Sequence, residues 1–477
     1  MEISDIRNWG ARIADWSANY LATLRDRPVR SPNAPGATFN AVPAAPPEAG
    51  EDFAAIFADF ERLILPGITH WQHPRFFAYF PCNASPPSVL AEYLTATLGA
   101  QCMLWQTSPA ATELETRVLD WLRQMIGLPE GFHGVIQDTA SSATLSALLT
   151  ARERALHWRG NATGLSGQPA IRVYCSDQAH SSIDKACWIA GIGQDNLVKL
   201  PSVGETYGVD IAALERAILA DRAAGHLPAA IVACVGATSV GGTDKVRAIC
   251  ELGRRHGLYV HVDAAWAGSA MICPEFRMLW DGVELADSVV FNPHKWLLTH
   301  FDCTAFFVRD PEGLVKTLGI RPDYLKTPGM AVARDGIINY SEWSVPLGRR
   351  FRALKLWFVI RAYGVEHLRN FIRDHVRWAQ RLADRIAATP DFELTSPPIL
   401  SLFSFRYRPD GVEALDSLNT RLIQAINDDG RIYLTQTRFH DKFVIRFQIG
   451  QTYAAEADID FAWEAIQEIA RSLPSPL

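Results

Sequence analysis

Between about residues 80 and 350, short apolar strand patterns alternate with helical ones, and nothing else in the 477-residue chain constrains its fold as strongly. Such alternation implies a mainly parallel sheet, with helices joining its strands and covering its faces. Ile171-Arg172-Val173-Tyr174-Cys175 and Leu258-Tyr259-Val260-His261-Val262 read as strands of this kind. Open sheets of this class bind ligands beyond the carboxyl ends of their strands, so residues that follow a strand are the first place to look for chemistry.

The run Ser288-Val289-Val290-Phe291-Asn292-Pro293-His294-Lys295-Trp296-Leu297-Leu298 sets a lysine between a β-branched strand pattern and an apolar segment. An unpaired ammonium ion there is costly. Desolvation eases its deprotonation, and the neutral amine can attack a carbonyl to form a Schiff base, the linkage by which pyridoxal phosphate is held. A lone lysine in such a place is ordinarily explained by a stem lying on apolar surface with its head in water.

A pyridoxal phosphate site also needs a carboxylate beside the pyridine nitrogen, a group stacked on the ring, and a phosphate cradle at a helix start. Asp263 follows the strand Leu258–Val262 and is the candidate carboxylate, although an aspartate there commonly caps a helix or forms a turn. Ala265 leaves room for the ring. Thr139-Ala140-Ser141-Ser142 gathers hydroxyls and free N–H groups before a segment whose apolar positions have helical spacing. Such a cluster is ordinarily an N-cap; beside Asp263 and Lys295 it becomes the expected cradle, with Asn292 adding a contact. His180, after the strand Ile171–Cys175, is placed to stack on the ring, or else to cap or pack.

Six ordered blocks now carry a resemblance: His73 to Pro81, Ser108 to Glu115, Asp177-Gln178-Ala179-His180-Ser181-Ser182, His261 to Ala270, Asn292-Pro293-His294-Lys295-Trp296, and Pro346 to Arg352. Nearly end to end, the chain resembles the aromatic-L-amino-acid decarboxylases among the group II pyridoxal-dependent decarboxylases. Ala78-Tyr79-Phe80-Pro81 and Trp296 resemble that aromatic branch, whereas glutamate decarboxylases lack the Tyr-Phe-Pro run. The resemblance implies a fold type I α/β enzyme using pyridoxal 5'-phosphate. Lys295 would carry the cofactor, Asp263 would pair with the pyridine nitrogen and His180 would stack on the ring. Ala140, Ser141 and Asn292 would hold the phosphate, with Thr238 and Ala265 lining the cofactor.

The same resemblance implies a substrate pocket of Trp71, Tyr79, Phe80, Pro81 and Cys82 with Gln101, Cys102 and Met103. Cys82 stands where the animal enzymes carry a threonine, and Gln101-Cys102-Met103 replaces an Ile-Gly-Phe-like run. Gly319 to Gly336 has two prolines, three glycines and no sustained period, which suits a lid. Tyr324 within it is the expected proton donor in the family's reaction, or an aromatic packed at a loop base. An aldehyde synthase on the same fold would be signalled by Phe in place of Tyr324 or Asn in place of His180, and neither occurs. Retention of the lysine, aspartate, histidine and hydroxyl cluster argues against a non-catalytic protein.

Lys plus Arg number 46 and Asp plus Glu 52, for a net charge of −6, so no electrostatic case exists for nucleic acid. No apolar run reaches membrane-spanning length, no signal-peptide core is seen, and no metal site is expected. The eight cysteines include no Cys-x-x-Cys pair and several lie in apolar strands, which points to a reduced, cytoplasmic protein. Ile6, Trp9, Ile13, Trp16 and Tyr20 put one apolar face on an N-terminal helix, followed by a stretch from Pro28 to Pro47 with six prolines. That arm either folds back on its own chain or, as the resemblance favours, crosses a partner in a homodimer. The expected segments are an arm at 1–79, a large cofactor domain at 80–350 and a small α+β domain at 351–477. Arg349, Arg350, Arg352 and Lys355 read as a solvated or ion-paired helix start.

Overall fold

The computed structural model describes residues 2–320 and 338–473. Its strands are β1 (His133–Gln137), β2 (Ile171–Ser176), β3 (Leu197–Leu200), β4 (Ser202–Val203), β5 (Gly208–Val209), β6 (Leu227–Cys234), β7 (Tyr259–Asp263), β8 (Ser288–Phe291), β9 (Thr304–Val308), β10 (Phe392–Ile399), β11 (Leu402–Tyr407), β12 (Thr435–Phe439) and β13 (Lys442–Gln448). Seven form one sheet in the order β1-β9-β8-β7-β6-β2-β3. The pairs β3/β2, β2/β6, β6/β7 and β7/β8 are parallel, while β9 runs antiparallel to both β8 and β1. Six strands therefore share one direction. The sheet is mainly parallel, as expected, with β9 alone reversed.

Every residue of β7, β8 and β9 is buried, which is why these strands read as near-continuous apolar runs. Ala143, Ala147, Leu148 and Ala151 of the helix Ala140–Ala155 join a core with Val173, Ala230, Val232, Val290 and Phe306. The four-stranded sheet, ordered β10-β11-β13-β12, has its own core. There Phe77, Phe403, Phe405 and Phe447 meet Leu422 and Ile426 of the helix Leu415–Asp429, and Trp463 and Ile466 of Glu456–Ser472.

Backbone contacts divide the chain into two compact units. One contains Met1–Cys82, Trp378–Pro397 and Phe403–Leu477; the other contains Asn83–Arg377 and Pro398–Leu402. The expected boundaries at 79/80 and 350/351 are thus displaced, and the first 82 residues group with the C-terminal sheet. Backbone groups of that segment find partners there. The Val29 N–H donates to the Gly430 carbonyl at 2.9 Å, and the Phe77 N–H to that of Tyr433 at 3.0 Å. Asp458 receives both Arg25 and Arg75, at 2.7 and 3.1 Å.

The N-terminal helix, Asp5–Ala22, uses its aromatic positions within its own chain. Trp9 meets Phe53 edge-on at 4.6 Å, Trp16 packs against Phe57 and Phe60, and Tyr20 Oη lies 2.8 Å from His70 Nδ1. Ile6 and Ile13 remain exposed. The basic cluster proves ion-paired and largely buried: Arg349 pairs with Glu115, Arg352 with Asp302, and Lys355 approaches Glu92.

Candidate active site

Because β1, β2, β6, β7 and β8 point the same way, their carboxyl ends lie along one edge of the sheet. Ala140 and Ser141 follow β1, His180 follows β2, and Thr238 follows β6. Asp263 ends β7 with Ala265 just beyond, and Asn292 and Lys295 follow β8. Every residue that the sequence assigned to the cofactor therefore stands on this edge.

Asp263 is buried, and one carboxylate oxygen accepts the Ala265 N–H at 3.0 Å, so its turn-forming role is real and also aims the group. His180 is exposed at the edge, and its Nδ1 accepts the Ser182 N–H at 3.1 Å. The neutral ring consequently carries its proton on Nε2. Partial burial lowers the imidazole pKa; Asp263 acts to raise it and Lys295 to lower it, so the three groups share one electrostatic neighbourhood.

Thr139 caps the helix Ala140–Ala155, its Oγ1 accepting the Ser142 N–H at 3.4 Å. The first-turn N–H groups of Ala140 and Ser141 stand at the positive end of a 16-residue helix, and Ser141 is exposed. Asn292 uses its side-chain oxygen to accept from Thr304 Oγ1 at 2.8 Å, so its nitrogen is the end suited to an anion. Lys295 lies in the short helix Pro293–Trp296. Contrary to the buried setting expected for it, the lysine is part-exposed, while Pro293, His294 and Trp296 beside it are buried. Trp296 stacks on Trp266 at 5.2 Å and donates to His375 Nδ1 at 3.0 Å, which wedges the turn in place. A part-exposed lysine, a buried carboxylate, an exposed imidazole and a helix start on one sheet edge fit pyridoxal phosphate.

Beneath the edge lies a polar link that sequence reasoning passed over. His261 Nδ1 lies 2.8 Å from Ser288 Oγ and Nε2 lies 3.3 Å from Thr144 Oγ1, which joins β7 to β8 and to the capped helix. Burial holds this imidazole down to about 4, so it is neutral. Its signal was a histidine and a serine inside otherwise apolar strands.

The two stretches assigned to substrate lie in different units. Gln101 accepts the Arg349 N–H on Oε1 at 2.6 Å, the Cys102 N–H donates to the Arg349 carbonyl at 2.9 Å, and the Met103 carbonyl accepts the Ser341 N–H at 3.0 Å. Cys102 is buried, and burial pushes its thiol up. In the other unit Trp71 and Tyr79 are exposed and stacked, with ring centroids 5.8 Å apart. Tyr79 has a left-handed backbone (φ 49°), its N–H donating to Thr435 Oγ1. Phe80 is buried with the Arg446 guanidinium 5.5 Å from its ring. Pro81 packs against Gly450, and the Cys82 carbonyl accepts from Gln72. Tyr324 lies outside the described residues. A cavity beside β1, lined by Glu113, Arg117, Asp120, His133 and Tyr340, contains none of the candidate residues.

The profile of the pyridoxal-dependent decarboxylase conserved domain matches residues 35–408. The chain belongs to the pyridoxal-dependent decarboxylase family. This decarboxylase-family chain is 41% identical to the aromatic-L-amino-acid decarboxylase of Mus musculus, over 99% of each chain. It is 40% identical to the phenylacetaldehyde synthase of Arabidopsis thaliana, over 99% of this chain and 97% of that one. A crystal structure of Oryza sativa TDC with PLP and tryptamine superposes with a TM-score of 0.95 at 36% identity, covering 99% of this chain and 98% of that one. The decarboxylase is therefore a fold type I, pyridoxal-phosphate-dependent carboxy-lyase.

Proposed function

We propose that the enzyme converts an aromatic L-amino acid (tryptophan, tyrosine, phenylalanine or dihydroxyphenylalanine) to its amine and carbon dioxide. The observation that carries this reading is the single sheet edge gathering Lys295, Asp263, His180 and the helix start at Ala140. Pyridoxal phosphate, when bound, supplies the electron sink for the pair released from the Cα–carboxylate bond. Lys295 would contribute the amine that holds the cofactor. Asp263 would keep the pyridine nitrogen protonated.

The Ala140 and Ser141 N–H groups and the Asn292 nitrogen would hold the phosphate, and Thr238 and Ala265 would line the cofactor. His180, neutral near pH 7 with its proton on Nε2, would stack on the ring, and with it Tyr324 would deliver a proton to the substrate Cα. In this reading Trp71, Tyr79, Phe80, Pro81 and Cys82 are substrate residues of one unit, and Gln101, Cys102 and Met103 those of the other. The stacked Trp71–Tyr79 pair supports an aromatic side chain on the substrate.

The Arabidopsis relative favours a second reading, an oxygen-consuming aldehyde synthase. Amine, aldehyde and peroxide measured with oxygen uptake separate the two. Wild type should form amine, and Tyr324→Phe, which keeps the ring and loses the hydroxyl, should shift product toward aldehyde, ammonia and peroxide. Equal ratios would remove Tyr324 from the reaction, and aldehyde as the main wild-type product would overturn the amine reading.

The enzyme works as a cytoplasmic homodimer in this proposal. Its eight cysteines form no disulfide and seven are buried, which suits a reducing compartment. Ile6 and Ile13 on the arm, and Leu90, Tyr93 and Leu98 on the helix Pro86–Leu98, leave apolar side chains for a second copy to cover. Deleting residues 1–27 should cost the dimer or cause aggregation in sedimentation runs; a soluble, active monomer would count against it.

A further inference from the structure

The turn that carries Lys295 is too short to satisfy its own backbone, and a neighbouring segment completes it. The helix Pro293–Trp296 has four residues, and Leu298 beyond it adopts a left-handed backbone (φ 52°), a costly conformation for leucine. Carbonyls in such a turn need partners from elsewhere. Asn83 and Ser85 supply them and Ser88 takes up the following His300 N–H, all three wholly buried at 0% exposure.

Asn83 Nδ2 donates to the Lys295 carbonyl at 2.8 Å. Ser85 Oγ donates to the Leu298 carbonyl at 2.6 Å, at the strained residue itself. Ser88 Oγ accepts the His300 N–H at 2.8 Å and lies 2.9 Å from His300 Nδ1. One helical turn further on, Glu92 reaches the opposite ring nitrogen, Nε2, at 3.6 Å and Lys355 Nζ at 3.4 Å. Positions 83, 85 and 88 thus meet 295, 298 and 300 in the same order, so two lengths of chain are fastened side by side. The cofactor-bearing amine hangs on a flexible four-carbon stem, so the placement of its main chain bounds where it can reach.

We infer that Asn83, Ser85 and Ser88 are positioning residues that set the place of the Lys295 amine and thereby determine how tightly and completely the cofactor is captured. This rests on the reading that Lys295 carries pyridoxal phosphate. Asn83→Asp keeps the shape and replaces the donor with an acceptor; Ser85→Ala removes a hydroxyl that Ser85→Thr restores. Asn419→Asp is the control, since Asn419 is equally buried and bonds both the N–H and the carbonyl of Tyr407 in the other unit.

The readouts are the pyridoxal phosphate dissociation constant of full-length apoprotein from tryptophan quenching, the fraction of Lys295 trapped by borohydride in peptide mass spectra, and the apoprotein Tm. Asn83→Asp should raise the dissociation constant about tenfold, the effect of one spoiled buried hydrogen bond, and lower the trapped fraction. Turnover should show lower kcat with little change in KM for the amino acid. Ser85→Ala should move in the same direction, and Ser85→Thr should return toward wild type. Asn419→Asp should lower Tm and leave the dissociation constant alone.

If Asn83→Asp and Ser85→Ala lower only Tm, as the control does, the residues are structural and the inference is wrong. Should Asn83→Asp fail to fold, the Ser85 pair decides by the same criterion. Wild-type protein trapped at a lysine other than Lys295 would instead overturn the cofactor assignment beneath it.

Discussion

The two sheets bury their cores by the same physics, yet the candidate cofactor residues line up along an edge of the seven-stranded one. Six of its strands share a direction, so their following turns, with open N–H groups and polar side chains, collect on one side. In the four-stranded sheet β12 and β13 run antiparallel, which sends chain ends to both sides. Polar groups there go to structure: Asn419 bonds Tyr407, and Arg446 donates to Thr435 at 2.9 Å. Shared strand direction, more than depth of burial, is what concentrates function.

Lys295→Ala tests that contrast most severely. Amine production and the visible absorbance of the lysine-bound cofactor should vanish together, while apoprotein Tm changes little; wild-type amine formation would break the contrast at its strongest point. A change in the other sheet should do the reverse. Phe447, wholly buried and stacked on Phe77 at 4.4 Å and on Phe403 at 5.5 Å, should cost about 3–5 kcal/mol of stability as Phe447→Ala in urea unfolding. Cofactor affinity of the folded fraction should persist, and a loss of affinity without a loss of stability would blur the two roles.

The smallest effect concerns His261, whose pKa burial lowers from 6.5 to about 4. Between those values the unfolded chain binds a proton that the folded chain refuses. The stabilising term is therefore complete above pH 6.5 and is lost as pH falls toward 4, at up to about 1.4 kcal/mol per pH unit. His261→Gln should flatten the acid limb of urea midpoints measured from pH 7 to 4.5, only in part because burial holds His294 and His375 low in the same way. An unchanged limb would remove His261 from the account.

Strand alternation, the cap at Thr139 and the residues following β2, β7 and β8 were legible because each is written in a few consecutive positions. The clamp was not. Asn83-Ala84-Ser85-Pro86-Pro87-Ser88 reads as an ordinary turn and helix start, and the carbonyls it serves lie more than two hundred positions away. Arg349 and Lys355 looked compatible with a solvated helix start for the same reason. The partners that bury them, Glu115 and Glu92, come from a distant part of the chain. The N-terminal helix was half legible: its apolar face was plain, and its division between Phe53, Phe57 and Phe60 on one hand and open solvent on the other was not.

By itself the sequence determined the fold class, the family and the residues standing at the strand ends, since periodicity and short ordered blocks are local properties of a chain. Tertiary structure alone decided that residues 1–82 group with the C-terminal sheet, that His261 joins Thr144 to Ser288, and that Asn83 and Ser85 complete the lysine turn. Those outcomes depend on which buried polar group finds which partner across long chain separations, and only packing the whole chain settles that pairing.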